Sequence, residues 1–120
     1  MSSNLTPSIL GAFALMMATN AGLAAERRHE SGVASIYSTE SGSGTASGQK
    51  LNPNALTAAH KSLPFGTKVR VTNHRNGKTV VVTINDRGPF VRGRIIDLTP
   101  AGARALGFSG LTNVTVEVDG

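Results

Sequence analysis

Between Thr67 and Ile84 the chain alternates, turns, and alternates back, which constrains its fold more than any other stretch. Val69 and Val71 fall on one side of the first limb, and Lys68, Arg70 and Thr72 on the other. That period of two belongs to a half-buried strand. Asn76-Gly77 follows, and because both residues tolerate positive φ the pair reads as a tight hairpin turn. Lys78 to Ile84, rich in valine, is then the returning strand. Gly32 to Tyr37, Arg94 to Leu98 and Asn113 to Val118 have the same character.

Helical signals are few. Ala55 to His60 reads as a short helical turn with Asn54 as its cap. Thr99-Pro100 opens a second helix, with Thr as cap and Pro in the first turn, Ala101 to Leu106 as its body and Gly107 as its end. Ser38 to Gly48, rich in Ser, Gly and Thr with no core residue, reads as a loop, and Leu63-Pro64-Phe65-Gly66 as a turn with buried ends. Many short strands and one or two short helices predict a mainly β fold, a small barrel that removes exposed edges by closing on itself.

The length, 120 residues, suits one domain. Ile9 to Ala18 is an apolar run of signal-peptide length, and Leu23-Ala24-Ala25 is a plausible cleavage site. Residues 1–25 are therefore expected to be a signal peptide, 26–31 a flexible start and 32–120 the barrel; the competing reading of the apolar run is a buried N-terminal helix. All twelve Lys and Arg and all seven Asp and Glu follow Ala25, so the mature part keeps the formal charge of +5. Excess positive charge favours polyanionic partners, and export turns that expectation from nucleic acid toward anionic lipid or an acidic wall polymer. There is no cysteine, hence no disulfide, no thiol catalysis and no lipid-modified cysteine to tether the protein to a membrane. His29, His60 and His74 stand far apart without metal-ligand spacing, so neither a metal nor another cofactor is expected.

With seven carboxylates, elimination is informative. Glu26 and Glu30 fall in the expected frayed start, Glu40 in the Ser/Gly loop, and Glu117 and Asp119 at the C-terminal end. Asp86 and Asp97 remain, each at or near the end of a predicted buried strand. Partial desolvation there favours the protonated acid and suits it to proton donation. Arg87 would oppose this if it turned inward, and the sequence leaves its direction open. Asp86 could instead anchor the INDRGPF turn by accepting backbone hydrogen bonds. Asp97, two residues before Thr99, could serve the helix start. His60 reads either as a satisfied structural histidine or as one that holds an acid or shares its proton. Gly88-Pro89 is expected to turn the chain away, with Phe90 tucked back onto the core and Asp86 held at the rim.

GVASIYS, TASGQKLNPNALTAAHKSLPFGTKVRVTN and NGKTVVVTINDRGPFVRGRIIDLTPAGARALG, in that order, resemble the rare lipoprotein A family over residues 32–119. The resemblance implies a six-stranded double-psi β-barrel exported to the periplasm or cell envelope. It also implies an endolytic lytic transglycosylase that cuts naked peptidoglycan glycan strands between N-acetylmuramic acid and N-acetylglucosamine. One acid would protonate the glycosidic oxygen and then, as a base, take the proton of the muramic 6-hydroxyl while a 1,6-anhydro ring closes. The family pattern places Asp86 and His60 on cleft positions tied to activity, and Asp97 where more distant barrels hold a catalytic aspartate. Gln49, Thr45, Tyr37, Asn85 and Arg87 are the residues expected to hold glycan. Glycan strands are the expected partner, with division-site proteins also allowed, and the chain is expected to be a monomer. Two departures stand out: Gln49 occupies the position of a family acid, and Ser38 follows Tyr37 where the family has glycine. A non-catalytic glycan-binding or wall-loosening module is therefore the second reading, and a protein-interaction module the third.

Overall fold

The computed structural model describes residues 29–37 and 44–119. The expected leader at 1–25, as well as Glu26 and Glu40, lies outside these residues. Among the described residues six strands form, β1 (His29–Ile36), β2 (Thr57–Ala59), β3 (Lys68–Asn73), β4 (Thr79–Asp86), β5 (Arg94–Leu98) and β6 (Thr112–Val118), with one helix, α1 (Pro100–Leu106). They close in the order β1-β5-β2-β4-β3-β6, so every strand has two neighbours. The β1/β5 and β2/β4 pairs are parallel, and the other four are antiparallel.

The barrel is filled by alternation. Val69 and Val71 of β3, Val80, Val82 and Ile84 of β4, Ile96 and Leu98 of β5, and Val114 and Val116 of β6 point inward and are buried. The core is aliphatic, as a chain with one tyrosine, four phenylalanines and no tryptophan requires. Each buried Val, Leu or Ile contributes about 1.5–3 kcal/mol of hydrophobic stabilisation.

Three expectations change here. The stretch expected to be a helical turn is instead β2, preceded by a turn in which Ala55 N–H donates to Asn52 O. Six residues are too few to nucleate a helix against its entropy cost, and β2 takes ladder bonds from β4 on one side and β5 on the other. Ala58 and Ala59 are both fully buried because the strand is covered on both faces. The first strand starts at His29, earlier than expected, because His29 to Ala34 pair with Glu117 to Thr112 of β6. The hairpin turn is longer than two residues: Asn73 N–H donates to Lys78 O, Gly77 N–H donates to Asn73 O, and only Gly77 takes positive φ (75°).

Helix α1 matches its predicted signals. Thr99 Oγ1 accepts from Gly102 N–H (3.2 Å) and donates to Ala55 O (2.6 Å), tying the helix start to the turn before β2. Gly107 closes the helix at φ 73°, and Phe108 N–H returns to Ala103 O. The fully buried Asn73 joins this end of the molecule together. Its Nδ2 donates to Leu106 O, and its Oδ1 accepts from Thr112 Oγ1 and Arg75 N–H. Asn76 Nδ2 adds a second bond to Leu106 O (2.9 Å), satisfying a carbonyl that the end of a helix leaves unpaired.

Candidate active site

The two candidate aspartates are brought into one row across four strands. Ser35 of β1 stands beside Asp97 of β5, Asp97 beside Ala59 of β2, and Ala59 beside Asp86 of β4. Only the small side chain of Ala59 lies between the two acids, whose backbones are roughly 10 Å apart, two strand spacings. The register slips just before this row in both parallel pairs, between Val33 and Ala34 and between Ala58 and Ala59. Slips of this kind re-aim side chains at the rim of a barrel. Here the second one puts Asp86, rather than Asn85, opposite Ala59.

Asp86 is held on three sides. Tyr37 Oη donates to Oδ2 (2.9 Å), while Ala46 N–H and Arg87 N–H both donate to Oδ1 (2.8 Å each). The turn-anchoring role weighed for Asp86 is thus real, and the carboxylate that serves it is half-buried. Asp97 accepts from Ser35 Oγ, while the helix start is capped by Thr99. Tyr37 bonds Asp86 and feels the charge of both acids. Burial first, then its hydrogen bond to Asp86 and the charges of Asp86 and Asp97, pushes its phenol far above the usual tyrosine range. Tyr37 therefore remains a donor at any physiological pH.

Residues 45–49 form a clip over the end of β4. Thr45 donates to Gln49 O through its N–H and its hydroxyl (2.7 Å), and Ser47 N–H donates to Asn85 O. Thr45 thus spends its hydroxyl on the clip itself. Gln49 is exposed, and its Oε1 accepts from Asn85 Nδ2 (3.2 Å). Asn85 is 5% exposed, and its buried Oδ1 has no hydrogen-bond partner among the described residues. Leaving such an oxygen unmatched costs about 1–3 kcal/mol.

Arg87 resolves the question its sequence position raised. Its guanidinium turns away from Asp86, donates to His60 O and Leu63 O (3.2 and 2.8 Å) and lies 4.2 Å over the Phe65 ring. Only the Leu63 end of the 63–66 turn packs on the core, because Phe65 stays 42% exposed to carry that stack. Phe90, expected on the core, is 80% exposed. The cavity is already filled by aliphatic side chains, and the ring lies instead against Gly88 at the rim.

His60 is buried, and neither of its ring nitrogens bonds Asp86 or Asp97. Nδ1 accepts from Ser62 N–H and Leu63 N–H (3.1 Å each), and Nε2 meets Glu30 Oε1. Glu30 was passed over as part of a frayed start. No local signal marks it, since its place follows from the pairing of β1 with β6 far along the chain. Among the described residues no group of three or more His, Asp or Glu side chains could hold a metal ion.

The site is thus a closed barrel wall with two acids in one row, a tyrosine bonded to one of them and a polar clip beside them. The chain belongs to the lytic transglycolase family, whose model matches residues 29–118. A probable endolytic peptidoglycan transglycosylase RlpA from Nostoc is 58% identical over 94 residues, 74% of this chain and 25% of that protein. The endolytic peptidoglycan transglycosylase RlpA of Pasteurella multocida is 56% identical over 90 residues, 72% of this chain and 31% of that protein. The chain thus spans a quarter to a third of the length of these curated relatives. In fold it is similar to the expansin of Clavibacter michiganensis, at TM-score 0.60 and 22% identity, over 77% of this chain and 50% of that one. The architecture is the double-psi β-barrel that the sequence motifs implied.

Proposed function

We propose that this domain is an endolytic lytic transglycosylase that cleaves naked peptidoglycan glycan strands between N-acetylmuramic acid and N-acetylglucosamine. The observation that carries the reading is the row Ser35, Asp97, Ala59, Asp86, with the Tyr37 hydroxyl on Asp86. Family membership and the activity named for the relatives support it. Asp86 is the group that gives a proton to the glycosidic oxygen as the bond from muramic C1 to that oxygen breaks. The resulting carboxylate takes the proton of the muramic 6-hydroxyl, and O6 bonds to C1 to close the anhydro ring. No water is consumed, so one carboxyl can serve as both acid and base, unlike the two-carboxylate arrangement of hydrolases. Tyr37 and the backbone donors hold Asp86 in place. Asp97, charged and anchored by Ser35, favours the positive charge that develops at C1. Gln49, exposed and oriented by Asn85 Nδ2 on its Oε1, offers its amide N–H groups to a sugar hydroxyl.

In this reading the protein acts as a monomer in the cell envelope after export through the 1–25 leader, and division-site proteins are candidate partners. Gln49 favours a second reading, in which the groove binds glycan without cutting it. One experiment separates the two: mass spectrometry of denuded glycan strands after incubation with the purified protein, beside Asp86→Asn. The expected result is 1,6-anhydro-muramic ends from the wild type alone. Retention of strands by the wild type without anhydro products would overturn catalysis and leave the binding module. Anhydro products from both proteins would move the acid to Asp97.

A further inference from the structure

We propose that Glu30 is a positioning residue of the active site, acting through His60 on the segment that carries Arg87 and Asp86; its catalytic consequence rests on the function proposed above. His60 is 6% exposed, and both of its ring nitrogens are engaged within the protein. Two backbone N–H groups point at Nδ1, so the ring proton must sit on Nε2. Glu30 Oε1 is the acceptor that receives it. The two backbone donors keep Nδ1 unprotonated whatever stands at position 30, so removing the acceptor leaves a buried Nε2–H unpaired and takes away the second anchor of the ring.

The consequence travels along bonds already described. The His60 ring gathers Ser62 N–H and Leu63 N–H and so shapes the 60–63 turn. The carbonyls of that same turn, His60 O and Leu63 O, receive the Arg87 guanidinium. Arg87 N–H in turn donates to Asp86 Oδ1, and His60 N–H donates to Asp86 O. Glu30 is itself held by β1, where it stands opposite Val116 of β6. The far side of the barrel is thereby coupled to the orientation of the reacting carboxyl. His60, with no nitrogen left for substrate, works as a positioning residue and not as an acid or base.

The test compares the full chain with Glu30→Gln, whose amide oxygen still accepts from Nε2–H, and Glu30→Met, which matches its length but lacks an acceptor. The readouts are the ¹⁵N shifts of the His60 ring, the backbone amide shift of Arg87, and kcat and KM on denuded strands. The wild type and Glu30→Gln are expected to show the Nε2–H tautomer and similar kcat. Glu30→Met is expected to keep that tautomer but to show shifted Nε2 and Arg87 amide resonances and a kcat lowered about 10-fold at unchanged KM, the effect of losing one orienting hydrogen bond. A folded Glu30→Met with the wild-type resonances and kcat would overturn the proposal. So would equal losses of kcat in both variants, since that outcome assigns Glu30 a charge effect. If the wild type makes no anhydro ends, the function reading falls by itself. The ring and Arg87 shifts then still decide whether Glu30 positions the site.

Discussion

Tyr37 is the only tyrosine of the chain, so phenolate absorbance reports on it alone. Its folded pKa lies above the ordinary value, which means the native protein keeps the phenol proton to higher pH than the unfolded chain does. The stability this contributes is fully present below about pH 10 and falls as pH rises beyond it. A spectrophotometric titration is expected to show no phenolate near pH 10 while the protein stays folded. In Asp86→Asn, which removes the neighbouring charge, the midpoint is expected to drop. Asp86 and Asp97 were legible in the sequence because carboxylates are scarce and these two end apolar strands. Tyr37 and Asn85 came from motif resemblance, but the bond from Tyr37 to Asp86 and the unmatched oxygen of Asn85 did not. Both depend on which residues meet across the barrel. Phe90 was misread because an apolar side chain was assumed to go inward. Phe90→Ser is expected to change stability by no more than about 0.5 kcal/mol in a denaturant melt, the range for exposed positions.

At the scale of elements, β2 is the least stable by local preference and the most constrained by its surroundings. Alanines favour helix, and LTAAH reads that way in isolation. Pairing on both sides overrides this preference, and nothing within six residues could reveal it. The burial of Ala58 and Ala59 leaves no room for larger side chains. Ala58→Leu is expected to destabilise the domain by about 1–3 kcal/mol through overpacking, measured as a lower midpoint in urea at unchanged slope. The helix α1 was legible almost to the residue, because its cap and its terminator are local. Thr99 does more than cap, however, since its hydroxyl also donates to Ala55 O. Thr99→Ser, which keeps the hydroxyl, is expected to stay near wild type. Thr99→Ala is expected to lose about 0.5–2 kcal/mol as a cap and somewhat more through the unmatched carbonyl.

For the whole molecule, closure was legible as an argument about edges, but the strand order was not. That order interleaves strands distant in sequence, so β1 lies between β5 and β6, and β2 between β5 and β4. Periodicity within each strand says which face is buried and nothing about which neighbour it meets. Because β1 and β6 are antiparallel neighbours, His29 stands opposite Glu117, with backbones about 5 Å apart. A circular permutant that joins Asp119 to His29 through a short glycine-serine bridge and opens between the exposed Ser109 and Gly110 is expected to fold. Its far-ultraviolet circular dichroism and urea midpoint are expected to stay close to wild type. Loss of the folded spectrum would show that the order of strand synthesis, rather than their pairing, is decisive. The barrel thus leaves its chain where it picked it up, like a loop tied in a cord. A much longer polypeptide can carry such a loop at any point along its length without rerouting either flank.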